Sequence, residues 1–245
     1  MTFGIEVIGQ NGPIEISLMK NVVFLSGAAA AAAMACAGAA HAADAVSVQL
    51  GVASQYLGKG IAKSNDEVAY SGSIEVTRSG AYASLFASTA ELAQGADAEI
   101  LTTVGYRTDL SGYGLDLAVI NRDLPGSRKG VDANYTEYQI DASRKFGPIA
   151  TRLRVNYTAD GYAATQEAWW IELQGGVAID SKTRATVAIA DRSADGGAEY
   201  TAWNAGVKRK LPHDLALDLR WYDTDGHRFG DTYEGRLVAA LTLSL

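Results

Sequence analysis

The chain has 245 residues, a formal charge of -7 and a single cysteine, which excludes a disulfide scaffold and a strongly basic nucleic-acid binder. Its mean hydropathy lies near zero, as in an ordinary soluble domain. One apolar segment near the start changes that reading.

From Met19 the sequence runs MKNVVFLSGAAAAAAMACAGAAHA, with Lys20 ahead of an alanine-rich stretch that closes on Ala40-His41-Ala42. A basic residue, a short apolar run and a small-x-small end make a cleavable secretory signal peptide over 19–42, cut after Ala42. The run is short for a membrane helix. Residues 1–18 carry no targeting logic, so they read as a non-native extension upstream of the real start at Met19. Processing takes away Lys20, Glu6, Glu15 and Cys36 and leaves an acidic, cysteine-free chain over 43–245, which fits a bacterial envelope protein. No later segment is apolar enough for a transmembrane helix, so a membrane form has to be a barrel.

Alternation of apolar and polar residues, the mark of a strand with two unlike faces, recurs to the last residue. It predicts about twelve strands, an even number of the kind outer-membrane barrels use: 46–57, 67–77, 81–89, 97–108, 113–122, 134–146, 149–159, 167–179, 183–191, 199–210, 214–223 and 233–245. Connections after the second, fourth, sixth, eighth and tenth strands are tight turns such as Arg78-Ser79-Gly80 and Asp180-Ser181-Lys182. The others are mostly longer and polar, among them GKGIAKSNDE, DLPGSRKGVDA and DTDGHRFGD. Short periplasmic turns alternating with longer extracellular loops are a barrel pattern. Pro125, Pro148 and Pro212 all fall in connections, where a missing N–H harms no ladder.

The seventh strand fixes the faces. In TRLRVNYT, Leu153, Val155 and Tyr157 alternate with Arg152, Arg154 and Asn156. An arginine on the lipid side at the bilayer midplane costs roughly 2–4 kcal/mol, so the arginines face the lumen. By the same reasoning Val46, Val48, Leu50 and Val52, Leu115, Leu117 and Val119, Ile171 and Leu173, and Leu215, Leu217 and Leu219 face lipid. Tyr106, Tyr113, Phe146, Trp169, Trp203 and Trp221 sit near strand ends, as interfacial aromatic belts require. The third strand, AYASLFAST, is apolar on both faces and does not declare its phase.

Inward positions then collect Glu75, Glu99, Arg107, Asp116, Arg122, Glu137, Asp141, Lys145, Arg152, Arg154, Glu172, Arg184, Asp218, Arg220 and Arg236. The spacing places Glu137 and Asp141 beside Arg152 and Arg154, with Glu172 next and Arg184 after it. Two readings stay open: a charged pore lining that sets selectivity, with Arg152, Arg154, Arg184 and Arg220 against Glu137, Asp141 and Glu172, or cross-strand pairs that hold and partly fill the barrel. Twelve strands lie between the filled small barrels and the open 16-stranded porins.

Chemistry-bearing motifs are sparse. His213 and His227 are the histidines left after processing, G-x-S-x-G is absent, and no nucleophile is placed beside a base; no enzymatic activity is expected. Asp223-Thr224-Asp225-Gly226 with Asp231 offers carboxylates for calcium but lacks the closing glutamate of a calcium loop. No metal or other cofactor is expected.

SQYLGKGIAKS, Ser54 to Ser64, resembles the hallmark first strand and loop of the TorF-like family of proteobacterial porins, an S-x-Y-x-x-R-G-x-S-like run soon after the signal peptide. GSIEVTRSGAYASLFAST, GYGLDLAVINRDLPG, YTAWNAGVKRKL and LDLRWYDTD extend the resemblance over nearly all of the chain after Ala42. Lys59 stands where that family usually has Arg, Ala62 where Ser is common, and Leu245 where a terminal aromatic is usual. The resemblance implies an outer-membrane porin without catalytic residues. It also makes the final segment, EGRLVAALTLSL, look like the signal read by the barrel assembly machinery.

The sequence therefore predicts an all-β, antiparallel transmembrane barrel of about twelve strands, preceded by a cleavable signal peptide. It would lie among outer-membrane lipids, pass small hydrophilic or ionic solutes passively, and bind no nucleic acid. The alternative is a closed, filled barrel whose outer loops bind a partner.

Overall fold

A computed structural model describes residues 45–245 except Ala93 and Ala164. The upstream extension, the signal peptide and its Ala42 cleavage site lie outside the described residues. Strands are numbered in chain order: β1 (Ala45–Ala53), β2 (Leu57–Gly58), β3 (Ile61–Ala62), β4 (Ala69–Arg78), β5 (Ala81–Thr89), β6 (Ala98–Leu110), β7 (Tyr113–Asp123), β8 (Asn134–Phe146), β9 (Ile149–Gly161), β10 (Gln166–Ala178), β11 (Thr183–Ala194), β12 (Tyr200–Lys210), β13 (Leu215–Thr224) and β14 (Arg236–Ser244). All but β2 and β3 form one closed antiparallel barrel of 12 strands, in which β14 returns to pair with β1. The closing register sets Leu50 opposite Leu243 and Val52 opposite Leu241. Closure leaves the described barrel without an open edge strand.

The solvation pattern is inverted relative to a soluble domain. Glu99 and Glu137 are 0 % exposed, whereas Leu50, Leu117, Ile140, Leu173, Val187 and Leu237 stand out on the outer surface. Strand periodicity alone produces this, because successive side chains point to opposite faces. Apolar positions therefore turn to the outside, which a hydrocarbon environment would cover. Stacked and tilted rings join Tyr138, Tyr157 and Trp169 across β8, β9 and β10, and Tyr106, Tyr113 and Phe146 are exposed toward the opposite end.

At the short-turn end, Ser79 and Gly80 both take positive φ, the backbone of a two-residue hairpin whose twist matches that of the flanking strands. The β10–β11 turn is held by Asp180, whose Oδ1 accepts the N–H groups of Lys182 at 2.7 Å and Thr183 at 2.8 Å. These bonds favour the ionised carboxyl and lower its pKa.

Register also gives β5 its phase. Tyr82, Ser84 and Phe86 lie opposite Gly105, Thr103 and Leu101 of β6, and Arg107, two residues beyond Gly105, stacks on the Tyr82 ring inside the barrel. Their apolar inward set packs Tyr82 with Ala118, Ile120 and Leu101, so the β5–β7 side of the lumen is filled. The free space lies against β8 to β13.

Candidate functional site: a lumen crossed by the first loop

The segment between β1 and β4 reads as an exposed polar loop in the sequence, but it folds into the barrel. Its centre is the β2–β3 hairpin, in which Leu57 pairs with Ala62 and Gly58 with Ile61. The two residues at its tip, Lys59 and Gly60, have φ of 52° and 81°, the double positive φ of a type I′ turn. The tip reaches the far wall: a Cβ on Gly60 would stand 2.6 Å from the Ala202 Cβ on β12. Only glycine fits there, on both conformational and steric grounds.

Charge pins this crossing. Lys59 Nζ meets Glu137 on β8 at 2.5 Å, Lys63 Nζ meets Glu99 on β6 at 2.8 Å, and the Tyr56 hydroxyl donates to Glu99 at 2.6 Å. Arg122 on β7 bridges the two carboxylates, at 2.7 Å to Glu99 and 3.3 Å to Glu137. Asn156 donates to Glu137 at 2.6 Å, and the Tyr200 hydroxyl donates to the Lys59 carbonyl at 2.8 Å. Each buried carboxylate thus has several donors, the condition under which a buried charge is tolerated. Ile61 completes the contact by packing against Trp170, Ala190, Tyr200 and Ala202.

Behind the hairpin lies a cavity of about 350 Å³, bounded by Lys59, Arg122, Glu137, Arg152, Arg154, Glu172, Arg220 and the amides of Gln139, Asn156, Gln174 and Asn204. Small side chains at Ala188, Ala190 and Ala202 hollow its wall. Arg154 holds Asp141 through two hydrogen bonds at 2.8 and 2.6 Å, the fork geometry of a guanidinium on a carboxylate. Arg152 meets Glu172 at 2.6 Å, and Arg220 meets Asp218 at 3.2 Å and Asn204 at 2.8 Å. On the opposite wall Arg107 joins Glu75 at 2.6 Å and Asp116 at 3.0 Å.

Some partners differ from those the spacing suggests. Glu137 is taken by Arg122, Lys59 and Asn156 rather than by Arg152 or Arg154. The hairpin brings in a lysine that sequence proximity does not reveal. Arg184 makes none of the described ion pairs; it stands beside Lys208 near the short-turn end. Arg236 ties Gln55 and Asp66 of the first loop, at 3.1 and 3.0 Å, to the start of β14. Tyr56, Lys59 and Lys63 are site residues missed as lumen candidates, and their signal was the hallmark run itself. In the acidic loop after β13, Asp223 meets His227 at 2.8 Å, and Asp225 accepts the N–H of Thr201 on β12 at 2.8 Å.

A family model described as "Bacterial protein of unknown function (Gcw_chp)" matches residues 37–242. The chain belongs to the Gcw_chp family. No curated protein matches the sequence. Among solved structures, this Gcw_chp chain is similar in fold to the KdgM porin, with a TM-score of 0.56, 9 % identity and coverage of 81 % of this chain and 99 % of that one. It is likewise similar to the NanC porin, at 0.54, 11 %, 81 % and 98 %, and to the COG4313 outer membrane channel from Pseudomonas putida F1, at 0.53, 12 %, 82 % and 94 %. The fold is that of outer-membrane porins.

Proposed function

We propose that the protein is an outer-membrane channel for passive diffusion of small hydrophilic or ionic solutes, narrowed by its inward-folded first loop. The observation that carries this reading is the combination of an apolar exterior with a polar, charge-lined cavity on the β8–β13 side. Arg122 Nε and Arg152 Nε are buried without a protein acceptor, and both residues border that cavity. An unmet buried donor is costly unless water or a solute can take it, so a hydrated path fits this wall better than a dry core.

In this reading Glu75, Glu99, Arg107, Asp116, Arg122, Glu137, Asp141, Arg152, Arg154, Glu172, Arg184, Asp218, Arg220 and Arg236 line or shape the lumen. Lipids cover the outer belt, β14 docks with the barrel assembly machinery, and residues 19–42 direct export. The hallmark run, with its tyrosine, basic residue and glycine all engaged in the crossing, supports the finer assignment to TorF-like porins. The porin-like fold favours transport over an enzymatic role. Liposome swelling tests the proposal: proteoliposomes should swell in isotonic solutions of small neutral sugars, and swelling no faster than that of protein-free vesicles would contradict it.

A second reading has its own support. The packed β5–β7 side and the pinned hairpin also suit a closed, filled barrel that works through its outer loops. That reading predicts no swelling.

A further inference from the structure

We infer that the pore prefers anions, and that Arg184, Lys208 and Lys210 at its short-turn mouth set the preference; the inference rests on the channel reading above. Arg184 on β11 lies directly opposite Lys208 on β12, and partners opposite one another in a ladder share a face. That face is the inner one, because Ala188 and Asn204, further along the same strands, border the cavity. Lys210 follows two positions later on the same side of β12.

Two cations set face to face cost stability, and the carboxylate of the adjoining β10–β11 turn, Asp180, is taken by the Lys182 and Thr183 N–H groups and by Arg209. Among the described residues, none of the three forms an ion pair, in contrast to the arginines higher in the lumen. The inward carboxylates nearby are engaged elsewhere: Glu75 and Asp116 by Arg107, and Asp218 by Arg220. Asp218 lies across the ladder from Lys208, so even a shift of Lys208 toward it leaves Arg184 and Lys210 uncompensated. Lys145, inward near the end of β8, adds another cation, and Asp109 near the end of β6 adds a carboxylate.

The imbalance has the same sign at the constriction, where Lys59, Lys63 and Arg122 face Glu99 and Glu137. A narrow path between low-dielectric walls focuses such a field. The acidic outer loops lie beyond it, and bulk salt screens exposed charge over about 8 Å.

The test is the reversal potential of the full-length refolded protein in a planar bilayer under a KCl gradient. The expected chloride-to-potassium permeability ratio is about 3 or more, falling to about 1 in a triple Arg184→Gln, Lys208→Gln, Lys210→Gln variant that still conducts. Asp109→Asn, a milder change, should raise the ratio above that of the unaltered protein. A conducting pore with a ratio of 1 or below, or one left unmoved by both variants, overturns this inference alone. Absence of any conductance overturns the channel reading and this inference with it.

Discussion

Arg122 is the side chain on which the constriction depends most, because two fully buried carboxylates lean on it from neighbouring strands. Removing one partner from a buried ionic cluster typically costs about 3–5 kcal/mol, since it strands the charge left behind. Arg122→Ala should therefore lower the unfolding free energy by about 3 kcal/mol in detergent micelles. An unchanged urea midpoint would show that Lys59, Lys63 and Tyr56 suffice. Asp180 offers a pH test outside the strands. Its folded pKa is lowered by the turn's N–H groups, so its contribution is present above the unfolded value of about 3.9 and is lost as pH falls below it. Asp180→Asn should lower thermal stability at neutral pH toward its acid value, flattening the acid side of the curve while leaving its low-pH end nearly unaltered. A variant that keeps the full acid dependence would place that dependence elsewhere.

Among the elements, the first loop and β14 answer different questions. Loss of Leu243 to Leu245 would strip the ends of the β1–β14 and β13–β14 ladders, and we expect the truncated chain to fail to assemble; heat-modifiable gel mobility like that of the full chain would count against this. The β14 ladder was legible in the sequence because one face meets lipid and the other a polar interior, which writes strict alternation. The β2–β3 hairpin was not legible, for the converse reason. Lys59, Lys63 and Ser64 look the same whether they meet outside water or the polar lumen, so composition could not place GKGIAKSNDE inside. The phase of β5 was hidden by a related cause: Tyr82 and Phe86 turn to the filled side of the lumen, which removes the contrast between faces. Of the candidate site, the arginines and carboxylates of β6 to β10 were readable from alternation. The pairing of Glu137 with Lys59 depends on a contact 78 residues apart, which no local pattern encodes.

At the scale of the molecule, the fold is a barrel turned inside out, with one side of its interior filled by Tyr82, Leu101, Ala118 and Ile120 and the other left as a charged cavity under a pinned hairpin. In the proposed channel this second side conducts and the hairpin narrows it. Single-channel recording compares the full chain with a variant in which residues 57–63 are replaced by a short glycine-serine linker. Discrete conductance steps above the bare bilayer are expected for the full chain, and steps roughly twofold or more larger for the variant, since removing the hairpin widens the path. A silent bilayer with the full chain would contradict the channel, and equal steps from both proteins would contradict the constriction.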